Sequence, residues 1–173
     1  MINLGKGQLN KVNKTIKSMR TNSILLAMFV IGATFLMTPS CKKNGNCNKK
    51  NISSNGSDES HNFGMNCMTC HVSGGEGDGC FTAAGSVSNA TLTAHVSSGT
   101  VKFYTLANGG GTLKYEVAID SKGNFHTTES NDYTGLFPAI TGPNGTTTYM
   151  SSMAPSGSCN SCHGVSTAVL YGN

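Results

Sequence analysis

Apolar and polar residues alternate over most of residues 83–140. A period of two is typical of strands that bury one face. Polar and glycine-rich turns interrupt the pattern at 108–111 and 120–124. No stretch of ten residues shows helical spacing of its apolar positions, so the pattern predicts a mainly β fold, a small antiparallel β-sandwich with little helix. The alternating stretches are 91–96, 101–104, 113–119 and 125–128.

A different pattern fills the first forty residues. Ser23 to Met37 is an unbroken run of apolar or small residues, preceded by five basic residues and no acidic one. The run is shorter than the roughly 20 residues of a membrane span and fits a signal peptide. Small residues then lead into Cys41, as in a bacterial lipobox, where the cysteine is lipidated. The alternative is an uncleaved N-terminal anchor. Either way, we expect a membrane-anchored protein outside the cytoplasm, at the outer membrane.

Removing this leader changes the charge of the chain. The whole sequence has 12 basic and 8 acidic residues, but five of the basic residues lie in the leader. Seven basic and eight acidic residues remain, a formal charge of −1. The positive charge of the whole chain is therefore no sign of nucleic-acid binding, and no nucleic-acid partner is predicted.

Two copies of a C-x-x-C-H motif carry the chemistry, at 67–71 and 159–163. This spacing is the signature of covalent c-type haem attachment. The predicted thioether residues are Cys67, Cys70, Cys159 and Cys162. The adjacent His71 and His163 would bind the two irons as proximal ligands. A zinc knuckle or a redox-active dithiol is the alternative, but a zinc site would need four ligands from complementary pairs.

The second axial ligand of each iron is harder to predict. His61 lies six residues before the first motif, and Met153 lies six residues before the second. Six extended residues reach roughly 20 Å, enough to pass around a porphyrin edge. His61 and Met153 are therefore the predicted distal ligands, with Met150 and Met65 as reserves.

These features divide the chain into five parts. Residues 41–60 are mostly Lys, Asn, Ser and Gly, a composition that predicts a flexible tether. Cys47 and Cys80 remain after haem and lipid attachment, and an oxidising compartment would permit a disulfide between them without requiring it. The predicted parts are a signal peptide at 1–40, the tether at 41–60, a first haem segment at 61–82, a β-sandwich at 83–148 and a second haem segment at 149–173.

The β region resembles the carboxypeptidase-regulatory or transthyretin-like modules of exported bacterial proteins. The residues that carry the resemblance are 84–87, 99–104 and the pattern Asp120-x-x-Gly123-x-Phe125. It implies a non-catalytic β-sandwich that orients what is attached to it. Because domain ends often lie close together, we expect the two haem segments to meet at one edge of the sandwich.

The whole chain is similar to dihaem cytochrome lipoproteins of bacterial envelopes, most specifically at the two motifs. The resemblance implies two covalent haem c groups and electron transfer between redox partners outside the cytoplasm, without enzymatic activity. One alternative is a dihaem peroxidase-like enzyme, for which Glu76 and Asp78 are the candidate catalytic groups. Another is a haem-bearing binding module that self-associates or packs into a filament.

Overall fold

Short strands joined by tight turns make up the computed structural model, which describes residues 45–173. The predicted leader and Cys41 lie outside the described residues. The described part belongs to one compact unit, Cys41–Asn173. Its strands are β1 (Ala83–Ser86), β2 (Ser88–Asn89), β3 (Gly99–Tyr104), β4 (Leu113–Ile119), β5 (Asn124–Thr127), β6 (Phe137–Thr141), β7 (Thr147–Tyr149) and β8 (Tyr171–Gly172). Single 3-10 turns lie at Cys67–Thr69, Ala107–Gly109 and Cys159–Ser161. Within residues 45–173, no helix has the length and apolar character needed to cross a membrane.

The largest sheet is antiparallel and has the strand order β4-β3-β6-β7. Strand β3 lies inside it, so Val101 pairs with Val117 on one side and with Ile140 on the other. Strands β1 and β5 form a second antiparallel pair. Two-residue strands β2 and β8 pair in parallel.

Both antiparallel sheets contribute to one core. Phe103 and Ile119 from the large sheet, and Ala83 and Phe125 from the β1–β5 pair, are fully buried and belong to the same apolar cluster. Burying one large apolar side chain stabilises a fold by about 1.5–3 kcal/mol, which is why the alternating stretches adopt this register. The prediction of a mainly β fold built from small antiparallel sheets, with little helix, is confirmed.

The described part of the predicted tether, residues 45–60, is not a flexible leash. Ser53 is buried; its amide donates to the His126 carbonyl (2.9 Å), and its hydroxyl accepts from the His126 amide (2.9 Å). The same hydroxyl donates to the Ala118 carbonyl (2.6 Å). The segment therefore covers the outer edge of β5 through polar pairing, which needs no apolar residues.

The predicted strand at 91–96 is also wrong. The side-chain oxygen of Asn89 accepts hydrogen bonds from the amides of Thr93 (3.0 Å) and Ala94 (3.4 Å). Leu92 adopts a positive φ of 56° and is exposed. A local side-chain bond has replaced the strand ladder, as asparagine allows in tight turns.

The predicted boundary between the sandwich and the second haem segment does not separate two structural parts. Strand β7 crosses it, and β8, at the end of the haem segment, pairs with β2 inside the sandwich. The second haem segment is therefore part of the β-module, and its C-terminal residues hold it there.

Candidate functional site

The first C-x-x-C-H motif forms a 3-10 turn at Cys67–Thr69. The side-chain oxygen of Asn66 accepts a hydrogen bond from the Met68 amide (3.2 Å) and so caps the start of the turn. The His71 amide donates to the Cys67 carbonyl (3.0 Å). These bonds bring the two thiols and the imidazole onto one turn of backbone.

The second motif repeats this backbone at Cys159–Ser161. The His163 amide donates to the Cys159 carbonyl (3.0 Å), and the Cys162 amide donates to the same carbonyl (3.3 Å). The two motifs thus share their hydrogen bonding although their intervening residues differ. Each C-x-x-C-H motif therefore forms a short helical turn, as the sequence predicts.

Both motif histidines have their Nδ1 atoms at a backbone carbonyl. His71 Nδ1 lies 2.9 Å from the Asp78 carbonyl oxygen and 3.3 Å from that of Gly79. His163 Nδ1 lies 2.7 Å from the Ala168 carbonyl oxygen. A carbonyl can only accept, so the neutral imidazole carries its hydrogen on Nδ1 and keeps its lone pair on Nε2. This is the tautomer that a metal-binding histidine needs.

The His71 ring is fixed by packing as well. It stacks on Phe81 with the ring centroids 4.0 Å apart and an interplanar angle of 7°. Phe81 stacks in turn on His126 at 4.7 Å. A Cβ atom at Gly77 would lie 2.7 Å from two atoms of the His71 ring, so the backbone of Gly77 closes on it as well. His71 is accordingly buried, whereas His163 is only partly buried.

The environment of the thiols counts against a redox-active dithiol. Burial raises the pKa of the Cys67 thiol. Burial, with a smaller contribution from Cys162, raises the pKa of Cys159 to about 12. A reactive dithiol needs a lowered pKa, because the thiolate is the nucleophile. Both thiols are protonated at neutral pH.

A zinc site also finds little support. Across residues 45–173, no three or more His, Cys, Asp or Glu side chains are arranged to hold a metal ion. A structural zinc site needs four such ligands. Haem iron makes a smaller demand, because the porphyrin supplies four ligands and the protein only the axial ones.

An apolar cleft of about 330 Å³ opens beside the second motif. Cys159, Cys162 and His163 line it together with Met150 and Leu170. An apolar cleft with the attachment thiols and the imidazole at its wall fits a covalently held haem. The predicted distal ligand Met153 does not line this cleft and is 59% exposed, whereas the reserve Met150 does line it.

At the first motif, the predicted distal ligand His61 lies near His71. Its ring centroid is 5.9 Å from that of His71, with the planes tilted by 37°. Two metal–nitrogen bonds of about 2.0 Å each would place two axial imidazoles at about this separation. Met65, the reserve at this site, is exposed. The structure therefore brings His61, which is itself exposed, close to the first imidazole.

Asp78, one of the two peroxidase candidates, makes other contacts in the structure. The Asp78 carboxylate pairs with Lys49 Nζ (3.0 Å) and accepts from the Asn46 amide (3.4 Å). These hydrogen bonds, that of Lys49 first, lower the pKa of Asp78. Its carbonyl oxygen is the one that holds His71 Nδ1. Asp78 thus belongs to the proximal side of the first site, and it neighbours Glu76 in the same loop.

The two motifs meet, as predicted from the closeness of domain ends. Ser158 Oγ donates to Asn66 Oδ1 (2.9 Å), so the residues that immediately precede the two motifs are hydrogen-bonded to each other. Ser86 joins both segments. Its hydroxyl accepts from the Gly64 amide (2.8 Å), and its amide donates to Asn160 Oδ1 (2.7 Å). The two attachment turns therefore flank the end of β1.

No protein family, curated protein or solved structure matches the chain. The resemblances described from the sequence stay predictions.

Several residues of the site carry no signal in the sequence. Ser86 and Phe81 look like ordinary strand residues, and His126 looks like a surface histidine until its stacking is seen. The Cys47–Cys80 disulfide, which the sequence leaves open, forms in the structure. Four glycines within 74–79 predict a loop there, but they do not indicate the close approach of Gly77 to the His71 ring.

Proposed function

We propose that this protein is a membrane-anchored dihaem c-type cytochrome that passes electrons between redox partner proteins outside the cytoplasm. One haem c would be attached at Cys67 and Cys70, and a second at Cys159 and Cys162. A lipid on Cys41 would hold the chain at the membrane.

One observation carries this proposal. Both motif imidazoles have a backbone carbonyl at Nδ1, at 2.9 Å for His71 and 2.7 Å for His163. The carbonyls come from unrelated loops, so two separate pieces of sequence impose the same tautomer. That tautomer offers Nε2 to a metal in each case. A pair of disulfide-exchange motifs would gain nothing from it.

Haem supplies reversible one-electron chemistry, and the residues of this chain supply ligands, burial and orientation. The hydrogen bonds at Nδ1 of His71 and His163 orient each imidazole so that Nε2 could bind iron. The four thiols would bond each haem covalently and prevent its loss. The hydrogen bond between Asn66 and Ser158 brings the two attachment turns together. This closeness favours passage of an electron from one haem to the other within the molecule.

The axial ligands would differ between the two sites. His61 with His71 would make a bis-histidine site, and Met150 with His163 would make a histidine–methionine site. A methionine ligand raises the potential of a c-type haem. Unequal potentials favour transfer in one direction over equal exchange.

The haem content of the purified, exported protein tests the proposal. We expect two haems per chain, retained after denaturation, and a matching gain in polypeptide mass. Replacing Cys159 and Cys162 with serine should reduce the ratio from two to one, and the same change at Cys67 and Cys70 should do likewise. A colourless chain with the mass of its amino acids alone would overturn the proposal.

A further inference from the structure

A segment far from the motifs in sequence reaches the first site. Residues 45–51, here termed the strap, lie against the loop 74–80, here termed the glycine loop. The disulfide Cys47–Cys80 joins the two. The Gly79 amide donates to the Asn46 carbonyl (3.0 Å), and the Gly45 amide donates to the Gly75 carbonyl (3.2 Å). The strap is thus fastened along the whole glycine loop.

The glycine loop in turn holds the proximal imidazole of the first site. The Asp78 carbonyl oxygen lies 2.9 Å from His71 Nδ1, and the same oxygen accepts from Asn51 Nδ2 (3.4 Å). A second strap contact on the same side joins Asn51 Oδ1 to His126 Nε2 (2.9 Å), behind the Phe81 ring that stacks on His71. The strap therefore contacts both groups that orient the imidazole.

We infer that the Cys47–Cys80 disulfide positions the His71 imidazole and thereby sets the reduction potential of the first haem, leaving the second haem unaffected. The inference rests on the proposed function. Cys47 and Cys80 act through the carbonyls of Asp78 and Gly79 and do not touch the iron.

The second site lacks this arrangement among the described residues. The partners of His163 Nδ1 are the Ala168 carbonyl at 2.7 Å and the Thr167 hydroxyl at 3.2 Å. Both belong to the turn that follows the second motif itself. The second site therefore serves as an internal reference in the same molecule.

The direction of the effect follows from the hydrogen bond at Nδ1. A donor bond from Nδ1–H raises the basicity of the imidazole as a metal ligand. A more basic ligand favours the oxidised iron, so a weakened bond should raise the potential. Without the disulfide, the glycine loop would lose its covalent tie next to Gly79, and the bond to His71 would loosen.

The test compares three full-length, lipidated proteins: the wild type, a variant with Cys47→Ser and Cys80→Ser, and Lys49→Ala. Lys49→Ala is the matched control, since it removes an exposed strap contact to Asp78 but keeps the disulfide. The potentials are measured by redox titration. NMR contacts between each thioether bridge and its own turn assign the two couples.

We expect the double serine variant to keep two haems per chain and to favour reduction of the first haem about tenfold, a rise of about 59 mV for one electron. The second haem should stay unchanged, and Lys49→Ala should not raise the potential of the first haem, because loss of a positive charge cannot favour reduction. The inference would be overturned if the first haem had the same potential in the wild type and the double variant, or if both haems shifted equally. In either case, a ratio of two haems per chain would leave the proposed function intact.

If the double serine variant fails to fold, the disulfide of the wild-type protein is opened chemically instead. Dithiothreitol opens the disulfide, iodoacetamide blocks the two thiols, and the haems are reoxidised before titration. Thioether bonds to haem are not disulfides and survive this treatment. The first couple should again rise alone, and its failure to move would refute the positioning role.

Discussion

Gly77→Ala is the sharpest perturbation of the first site. The added Cβ would lie 2.7 Å from Nδ1 and Cε1 of His71 and 2.8 Å from Cγ. Three ring atoms at nearly equal distances place Gly77 over one face of the imidazole, and Phe81 covers the other face at 4.0 Å. Gly77 does not adopt a positive φ, so alanine meets no backbone strain and the effect is steric.

The size of the effect follows from what can move. Ordinary contact begins at 3.4 Å, so the ring or the loop must shift by about 0.7 Å. The ring cannot retreat, because Phe81 is itself backed by His126. The loop is held by the disulfide at Cys80. Overpacking of this kind costs about 1–3 kcal/mol.

Thermal unfolding and haem spectroscopy measure it together. We expect Gly77→Ala to lower Tm by about 2–8 °C for each kcal/mol and to alter the spectrum of the first haem only. Gly110→Ala is the control, since Gly110 has an extended φ of −78° and its Cβ would approach no atom closer than 3.1 Å. If Gly77→Ala and Gly110→Ala give the same result in both measurements, the His71 ring is not tightly packed between Gly77 and Phe81.

Three further predictions concern other parts of the molecule. Ser86→Ala removes a buried hydroxyl that joins the first haem segment to the β-module; it should cost about 1–3 kcal/mol in chemical unfolding, unlike the exposed control Ser54→Ala. Burial lowers the pKa of His126 from 6.5 to about 4, so unfolding takes up a proton and stability should fall by at most about 3 kcal/mol as pH drops from about 6.5 to about 4. His126→Phe, which keeps a stacking ring, should remove that slope in unfolding curves measured across the same pH window, and an unchanged slope would contradict the assignment. Met150→Ala should abolish the weak far-red absorption band of methionine–iron ligation and Met153→Ala should keep it, so the reverse result would return the distal role to Met153.

Period-two alternation predicted those parts of the fold that are stabilised by apolar burial. Phe103 and Ile119 fall on the buried face that the pattern assigns them, because a one-residue slip would expose both. A turn at each motif was also predictable, since an adjacent histidine needs a turn of backbone to lie under a haem held by the two cysteines, and His71 and His163 follow directly.

Parts of the fold that depend on polar pairing were not predicted, because the alternation pattern detects only apolar burial. The strap has no apolar face, and its place is set by a disulfide and by hydrogen bonds to residues that are distant in sequence. In the stretch around Leu92, the apolar alternation was real but weaker than the local bonds that Asn89 makes with the backbone. The composition of a segment indicates how much apolar surface it can bury. It does not indicate which backbone carbonyls its short polar side chains will hydrogen-bond.

Residues with equal spacing from the two motifs, His61 and Met153, have different surroundings in the structure. Both lie six residues before a motif, and the His61 ring centroid is 5.9 Å from that of His71. The Ala154 amide donates to the Leu136 carbonyl (2.8 Å), and Ala154 is buried against the cleft. The adjacent Met153 is 59% exposed and does not line the cleft. Met150 lines the cleft, and its amide donates to the Pro138 carbonyl (2.9 Å). Three residues of chain thus separate a methionine at the cleft wall from one exposed to solvent, which is why Met150 is the proposed ligand of the second iron.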